Sequence, residues 1–191
     1  MYLVVDTETT GLPRDWKAPH TRVDNWPRIV QLAFLLYDTA GALVEEYAQL
    51  VKPDGFVIPG DATRVHGITT ESARAEGVPL ADALSALEGA VARARLLVAH
   101  NLEFDAKVMR AEYVRAGLAT RLPSLTPVCT MLSSTDYCRL PGKYGFKWPS
   151  LQELYGRLFD AEMIAGHDAL VDARACARCF FELRHRGVIA A

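Results

Sequence analysis

The chain has 191 residues, of which 50% are hydrophobic and 23% are charged. This length and composition are sufficient for a substantial hydrophobic core, so we expect one domain over residues 1–191. The formal net charge is −2, which excludes a globally basic surface of the kind that coats DNA. Any binding of phosphate groups must therefore be local or depend on metal ions.

No apolar run reaches the roughly 18 residues that a membrane-spanning helix needs, and the first residues do not have the pattern of a secretory leader. We therefore expect a cytoplasmic protein without a membrane partner. Four cysteines are present, of which only Cys176 and Cys179 form a close pair. This spacing favours reduced, buried thiols, and a zinc–thiolate site is the minor alternative.

The first part of the chain predicts a strand and then a hairpin. An apolar run over residues 2–8 ends in acidic residues and is typical of a buried strand. After a polar loop, the apolar run 28–38 and the alternating run 43–51 predict two strands joined by a tight turn. We expect a loop at residues 52–60 and then a short helix capped by Thr69 or its neighbour.

The second part of the chain alternates between helices and strands. Apolar residues at helical spacing predict an amphipathic helix over residues 79–94, and a buried strand follows at residues 96–99. The later predicted elements are a helix capped by Asn101 and ended by Gly117, a strand at 125–129, and helices at 131–138, 149–159 and 169–186. This order predicts an α/β fold with a mixed five-stranded sheet flanked by helices.

Acidic residues follow two of the predicted strands and begin the last helix. Asp6 and Glu8 are separated by one residue at the end of the first strand, so their side chains point to the same face. Asp105 lies in the first turn of the helix after the fourth strand, and Asp172 lies five residues after His167. Sites in open sheets collect at the carboxyl ends of strands. Carboxylates this close repel one another unless a cation lies between them, and Mg²⁺ prefers such oxygen ligands.

Each of these residues also has an ordinary structural explanation. Asp6 and Glu8 could be solvated acids at the end of a strand. Asp105 could be an acid that the helix dipole favours, Asp168 could cap the last helix, and His167 could be a surface histidine. The functional interpretation depends on the conjunction, because three separate segments each deliver an acid to the same predicted edge of the sheet.

Taken together, these motifs resemble those of proofreading-type 3′-to-5′ exonucleases. The matching segments are Asp6-Thr7-Glu8-Thr9-Thr10-Gly11, His66-Gly67-Ile68, His100-Asn101 with Phe104-Asp105, and His167-Asp168-Ala169 with Asp172. This DEDDh group of the ribonuclease-H-like superfamily includes the bacterial DNA polymerase III epsilon subunit. The resemblance spans nearly the whole chain with the motifs in the same order, and it implies a ribonuclease-H-like sheet.

The resemblance also implies a two-metal-ion mechanism. Asp6, Glu8 and Asp172 would hold one Mg²⁺ or Mn²⁺ ion, and Asp6 with Asp105 would hold a second ion about 3.5–4 Å away. His167 would act as the general base, a task that suits imidazole because it titrates close to neutral pH. The products would be nucleoside 5′-monophosphates from the 3′ end of single-stranded nucleic acid, with DNA as the expected substrate.

By the same resemblance, a set of residues would contact the terminal nucleotide: Thr9, Gly11, Leu12, Asp61, His66, Asn101 and Phe104. For Leu12 a position in the core is an equal alternative. His66 could equally be a local cap before the glycine that follows it. For Asn101, capping of its helix is the expected main role.

The segment Lys143-Tyr144-Gly145-Phe146-Lys147-Trp148 interleaves basic and aromatic residues. Lysines attract phosphates and aromatic rings stack on bases, so this segment, with Lys143 in particular, is a candidate contact for a single strand. A loop whose aromatic rings pack on the core is the alternative. The loop at residues 14–26 has a similar mixture of residues, and its sequence assigns it no role.

Three functions are consistent with the sequence. The first is a DNA exonuclease of replication or repair, either free-standing or with a DNA polymerase as its partner. The second is an exoribonuclease or oligoribonuclease-type enzyme, because no residue identifies a contact to a 2′-hydroxyl. The third is a non-catalytic nucleic-acid-binding or polymerase-associated module, which the complete set of acids and His167 disfavours. We expect no dedicated polymerase-binding extension, since the last predicted helix ends at Arg186.

Overall fold

The computed structural model describes residues 1–163 and 166–190. Its main sheet consists of β1 (Tyr2–Thr9), β2 (Ile29–Tyr37), β3 (Leu43–Leu50), β4 (Leu96–Ala99) and β5 (Thr126–Cys129). The strands lie in the order β3-β2-β1-β4-β5, with β1 antiparallel to β2 and parallel to β4. This mixed five-stranded sheet confirms the predicted fold class.

Seven α-helices, two short 3-10 helices (Val23–Asn25 and Leu122–Ser124) and one small hairpin are the other regular elements of the described residues. The helices are α1 (Gly60–His66), α2 (Thr70–Glu76), α3 (Leu80–Val91), α4 (Leu102–Ala116), α5 (Thr130–Cys138), α6 (Leu151–Phe159) and α7 (Ala169–His185). The hairpin is formed by β6 (Pro141–Gly142) and β7 (Gly145–Phe146). No helix in the described ranges combines the length and the apolar character that crossing a bilayer requires.

The sheet lies between two layers of helices. Side chains alternate along β1, so that Leu3 and Val5 belong to the core beneath α3 and α4, whereas Val4 belongs to the core beneath α6 and α7. Because β1 and β2 are covered on both faces, their sequences are continuous apolar runs rather than alternating ones. The polar residues within these two strands therefore stand out as candidates for function.

Two elements differ from the sequence-based prediction. The helix α1 was not expected, because it follows Pro59 without a side-chain cap and buries only Ala62 of its seven residues. Such a helix has too little apolar periodicity to be recognised from sequence. The segment at residues 139–148, predicted as a loop, contains the hairpin of β6 and β7.

The predicted capping role of Asn101 is wrong. Asn101 occupies the position before α4, but its side chain makes no capping hydrogen bond and its backbone is left-handed, with a φ of 66°. Asparagine tolerates this conformation better than most residues, so it suits the sharp turn from β4 into α4. The predicted end of the same helix is confirmed, since Gly117 is also left-handed there.

A buried ion-pair network joins α4 to the start of β2. Glu112 is completely buried and accepts hydrogen bonds from Arg28 Nε at 2.9 Å and from the Ile29 backbone N–H at 3.0 Å. Arg115 lies 3.2 Å from the same carboxylate and also donates to the backbone carbonyl of Pro27. These contacts fix the end of the loop at residues 14–26 against the helix.

We expect Glu112→Ala to lower the free energy of unfolding by about 3–5 kcal/mol, because two largely buried guanidinium groups would lose their counter-charge. Chemical denaturation measures this loss. Glu103→Ala on the same helix removes a solvent-exposed pair with Lys107 and should change the free energy by less than about 1 kcal/mol. Equal effects of the two substitutions would contradict the assignment of the network as a stabilising contact.

Candidate active site

Three elements bring acidic side chains to one edge of the sheet. The strands β1 and β4 are parallel neighbours, so their carboxyl ends lie side by side, and α7 packs across β1 and β2. Asp6 and Glu8 come from β1, Asp105 from the first turn of α4, and Asp172 from the first turn of α7. The structure thus delivers the acids from the three segments that the sequence analysis selected.

One group of side chains that could hold a metal ion consists of Glu8, His167 and Asp172. One ligand atom from each of these residues lies within 4.8 Å of the others. The Oδ2 atom of Asp172 accepts a hydrogen bond from the His167 backbone N–H at 2.9 Å. Its Oδ1 atom is buried and has no hydrogen-bond partner among the described residues. A buried carboxylate oxygen without a partner is unfavourable, and coordination of a divalent cation would satisfy it.

Asp105 is held in place by a residue that the sequence analysis did not single out. The hydroxyl group of Thr7 donates to Asp105 Oδ1 at 2.8 Å, and the Asp105 side chain is buried. Thr7 lies between the two acids of β1, so the same strand supplies two acids and the group that orients a third. A threonine within a strand is a common residue, and its partner is 98 positions away, so no local signal marks it.

The acids are held in a state of mutual repulsion. Burial raises the pKa of Asp6 well above its ordinary value, and the charges of Asp105 and Asp172 raise it further. Burial, with the charge of Asp172, raises the pKa of Glu8 to about 7. Burial also raises the pKa of Asp105 to about 7, although the Thr7 hydroxyl opposes this, and it raises the pKa of Asp172. A bound cation would remove this repulsion.

Asp168 caps α7, which confirms one of the alternatives for this residue. Its Oδ1 atom accepts hydrogen bonds from the backbone N–H groups of Leu170 at 3.0 Å and Val171 at 3.1 Å. The cap fixes the first turn of the helix that carries Asp172. Asp168 therefore contributes to the site through the backbone of α7.

Gln31 is a second residue that the sequence analysis missed. It lies on β2 directly opposite Glu8 and is buried. Its Nε2 group donates to Asp168 Oδ2 at 3.1 Å, and its Oε1 atom accepts from the Ala169 backbone N–H at 3.0 Å. The available signal was a single amide side chain within the otherwise apolar run of β2.

The chain turns sharply before α7. His167 has a left-handed backbone with a φ of 71°, which is unfavourable for a residue with a side chain. A Cβ atom at Gly166 would lie only 2.9 Å from Asp172 Oδ1. Glycine is thus the residue that fits beside the Asp172 carboxylate, and this packing supports the strained backbone at His167.

The turn after β1 combines an unusual glycine conformation with an exposed apolar side chain. Gly11 has a φ of 139°, a conformation that side-chain-bearing residues rarely adopt, and the Thr9 hydroxyl donates to its carbonyl at 2.7 Å. Leu12 is 72% exposed, so the alternative of a core position is wrong. Phe104 is partly buried and packs against Trp16, with 5.8 Å between ring centres.

His66 and Asp61 have different environments. The Nδ1 atom of His66 accepts a hydrogen bond from the Ile68 backbone N–H at 3.0 Å, which confirms the local capping role. Burial lowers the pKa of His66, and the neighbouring Thr9 backbone opposes the shift, so this ring lies beside the turn after β1. Asp61 is exposed on α1 and pairs with Arg64.

A cavity of about 240 Å³ opens beside His167 and Asp172, with Ser150 and Gln152 at the start of α6 as its other wall. A larger cavity of about 940 Å³ lies along the outer edge of β5 and contacts none of Asp6, Glu8, Asp105, Asp172 and His167. The smaller cavity is therefore the one that belongs to the acidic site.

The basic and aromatic segment leads into this smaller cavity. Tyr144 is 91% exposed and Trp148 is 64% exposed, so the alternative in which these rings pack on the core is wrong. The ammonium group of Lys143 lies 5.1 Å from the centre of the Tyr144 ring. Lys147 instead forms an ion pair with Glu153 of α6. The rings and Lys143 thus remain open to solvent, and the segment ends two residues before Ser150, which lines the smaller cavity.

The four cysteines are free thiols. Cys138, Cys176 and Cys179 are buried, as expected, and Cys129 is partly buried. In the described part of the chain, the group that could hold a metal ion contains no cysteine. The interpretation of reduced thiols is consistent with this arrangement.

A mixed five-stranded sheet with carboxylates at the ends of β1 and β4 defines the ribonuclease-H-like class of nuclease folds. Residues 3–180 match the family model RNase_T, described as exonuclease. The chain therefore belongs to this exonuclease family, which confirms the predicted membership. It is a nuclease-family protein that acts on nucleic acids.

Known relatives and structures agree with this membership. The uncharacterized exonuclease CP81 of Escherichia phage 186 is 29% identical over 180 residues, which cover 90% of this chain and 82% of the relative. A Mycobacterium tuberculosis protein named as a bifunctional exonuclease/endonuclease is 32% identical over 174 residues, which cover 91% of this chain and 25% of that protein.

The same fold occurs in Escherichia coli Exonuclease I. Its complex with a dT13 oligonucleotide superposes with a TM-score of 0.76 at 20% identity, over 97% of this chain and 41% of that one. A product-bound structure of exonuclease I gives a TM-score of 0.71 at 18% identity, over 96% of this chain and 43% of that one. The chain thus spans about two fifths of Exonuclease I, and the likeness shows the fold.

We expect the metal-free protein to lose stability as the pH rises from about 4 to about 7. Glu8 and Asp105 hold their protons up to about pH 7 when folded and release them near pH 4 when unfolded. The folded state binds more protons in this window, so the free energy of unfolding falls as the pH rises. Thermal melts in EDTA across the window measure the fall, which Asp105→Asn should reduce. A rise of stability with pH would contradict the raised pKa values.

We expect Gly166→Ala to displace the Asp172 carboxylate, because the new methyl group would contact its oxygen. The measurement is the increase in melting temperature when Mn²⁺ is added, which the substitution should largely remove. Gly89→Ala is the matched control, since a Cβ atom at that position meets nothing within 4 Å. If Gly166→Ala retained the full increase, the close packing of Gly166 on Asp172 would have no role in the site.

Proposed function

We propose that this protein is a 3′-to-5′ exonuclease that hydrolyses phosphodiester bonds at the 3′ end of single-stranded DNA and releases nucleoside 5′-monophosphates. The observation that carries the proposal is the group of Glu8, His167 and Asp172 within 4.8 Å, with the charges of Asp6 and Asp105 beside it. Family membership supports exonuclease chemistry. The E. coli Exonuclease I complexes with dT13 and dA16 support single-stranded DNA as the substrate class.

Asp6, Glu8 and Asp172 would hold one Mg²⁺ or Mn²⁺ ion, and Asp6 with Asp105 would hold the second. The donor set fits such ions, because all four acids have raised pKa values and Asp172 Oδ1 is buried without a hydrogen-bond partner among the described residues. When bound, the two ions stabilise the charge on the attacking and leaving oxygens of the phosphodiester. A zinc-bound Exonuclease I–DNA complex supports a divalent cation on this fold.

His167 is the general base of the proposed reaction. Its side chain is solvent-exposed, and one of its ring nitrogens lies within 4.8 Å of carboxylate oxygens of Glu8 and Asp172. An imidazole at this position can take a proton from a water molecule that the carboxylates hold. The hydrogen bond from the His167 backbone to Asp172 keeps the base and the acid in a fixed relation.

The end of the strand would bind between two apolar walls. Phe104 and Trp16, which pack together, and the exposed Leu12 in the turn after β1 would form one wall. The exposed rings of Tyr144 and Trp148 would form the other wall, since their segment leads along the chain to Ser150 at the cavity that contains His167. Rings stack on bases of any sequence, so this arrangement suits a single strand without base specificity. Gly11, Thr9, His66 and Asn101 would contact the terminal nucleotide.

Asp61 is a proposed contact through the resemblance alone, and its side chain pairs with Arg64 on α1. A role in replication or repair, a DNA polymerase as partner and a cytoplasmic location remain predictions.

Activity is tested on single-stranded DNA and RNA of the same sequence, labelled at the 5′ end, with Mg²⁺ or Mn²⁺. We expect a ladder of products shortened from the 3′ end, and release of 5′-monophosphates. His167→Ala should lower kcat by about 10²–10⁴-fold, and Asp6→Ala should abolish turnover. His185→Ala, at the exposed end of α7, is the control and should have no effect.

Unchanged turnover of Asp6→Ala would overturn the metal assignment. Preferred cleavage of RNA would establish the exoribonuclease alternative. A protein that binds metal and both nucleic acids but cleaves neither would be the non-catalytic binding module.

We expect Lys143→Ala to weaken binding of a single-stranded oligonucleotide and to reduce the slope of log affinity against log salt by about one phosphate contact. Binding is measured with Asp6→Asn as the background, so that cleavage does not interfere. Lys52→Ala, an exposed lysine in the loop after β3, is the matched control. An unchanged salt slope for Lys143→Ala would show that Lys143 binds no phosphate.

A further inference from the structure

The side chain of Gln31 connects the central strands to the start of α7. It makes two hydrogen bonds across the boundary between the sheet and the helix, one to the Asp168 side chain and one from the Ala169 backbone. Reversal of the amide would place a donor against the N–H group of Ala169 and an acceptor against the carboxylate. The amide therefore has one orientation in which both bonds form.

The Gln31 side chain connects two segments that each carry a proposed metal ligand, Glu8 on β1 and Asp172 on α7. On the sheet side, Gln31 lies opposite Glu8 in the β1–β2 register, a spacing at which cross-strand neighbours are about 5 Å apart. On the helix side, Asp168 and Ala169 are followed within one turn by Asp172. The Asp172 backbone N–H donates to the Asp168 carbonyl at 2.9 Å, so the two residues move together.

Apolar packing alone does not fix the position of α7 along its axis relative to β1 and β2. The buried residues of α7, such as Cys176 and Phe180, hold the helix on β1 and β2. Hydrophobic contact is non-directional, whereas hydrogen bonds have narrow limits of distance and angle. A shift of about 1 Å along the helix axis is enough to spoil catalytic geometry. The Gln31 amide is a directional contact that opposes such a shift at the first turn of α7. Arg174, in the next turn, pairs with Glu46 and so joins α7 to the outer strand β3 rather than to the strands beside the site.

We propose that Gln31 is a positioning residue, which fixes the start of α7 against β1 so that Glu8 and Asp172 are held at the separation that one divalent cation needs. The inference rests on the metal site of the proposed function. Gln31 touches neither the cation nor the nucleic acid. It acts on Asp172 and His167 through Asp168 and the backbone of α7.

The test measures Mn²⁺ affinity by calorimetric titration of the folded protein without nucleic acid, and melting temperature in EDTA. Gln31→Leu has a similar volume and loses both hydrogen bonds, and we expect its Mn²⁺ affinity to fall by about 10–100-fold. Gln49→Leu, an exposed glutamine on β3, is the matched control and should bind Mn²⁺ as the wild type does.

A second set of variants exchanges the donor at position 31 and the acceptor at position 168, and it keeps the test decisive if Gln31→Leu folds poorly. Gln31→Glu faces the Asp168 carboxylate with a second carboxylate, and Asp168→Asn faces the Gln31 amide with a second donor, so each should weaken Mn²⁺ binding. In the double variant, the new carboxylate at position 31 accepts from both the new amide at position 168 and the Ala169 N–H. We expect the double variant to bind Mn²⁺ more tightly than either single variant, which is a favourable coupling in the double-mutant cycle.

Wild-type Mn²⁺ affinity in folded Gln31→Leu would overturn the inference even if its melting temperature fell, because Gln31 would then be structural only. Additive losses in the double variant would overturn it as well. A wild-type protein that binds Mn²⁺ but cleaves neither DNA nor RNA would refute the proposed function, while the Gln31 variants would still test the positioning role through their affinity.

Discussion

The repulsion among four carboxylates at one edge of the sheet is the constraint on which the rest of the structure depends. Burial raises the pKa values of Asp6, Glu8, Asp105 and Asp172, and the charges of the neighbouring acids raise those of Asp6 and Glu8 further. The folded chain therefore holds the four carboxylates together against their electrostatic preference. The apolar sheet, covered on both faces by helices, supplies the stability that this arrangement requires. The clustered carboxylates therefore lower the stability of the fold and at the same time create a binding site for cations.

Hydrogen bonds at the ends of the strands and helices set the positions of the acidic side chains. Thr7 orients Asp105, Asp168 caps α7, and Gln31 joins that cap to β2. Each of these contacts acts on an acid or within one turn of one. Packing determines which elements are neighbours, whereas these hydrogen bonds determine where the carboxylates lie.

Local signals in the sequence predicted most of the fold and the acids of the site. The apolar runs of β1 and β2, the alternation of helices and strands, and the one-residue spacing of Asp6 and Glu8 depend on neighbours in the chain. The roles of Thr7 and Gln31 could not be predicted, because their partners are 98 and 137 positions away. The amide of Gln31 within an apolar strand marked a position but not its partner. Asn101 was misjudged because asparagine suits both a helix cap and a left-handed turn, and composition alone does not separate the two.

The two edge strands of the sheet, β5 and β3, both have features that discourage pairing with a strand of another molecule. The outer strand β5 has only four residues and contains Pro127, which has no N–H group to offer to another chain. At the opposite edge, β3 carries Glu45 and Glu46, which pair with Arg93 and Arg174. Short, charged or proline-bearing borders discourage strand addition between molecules, so the protein is protected against edge-to-edge aggregation at high concentration.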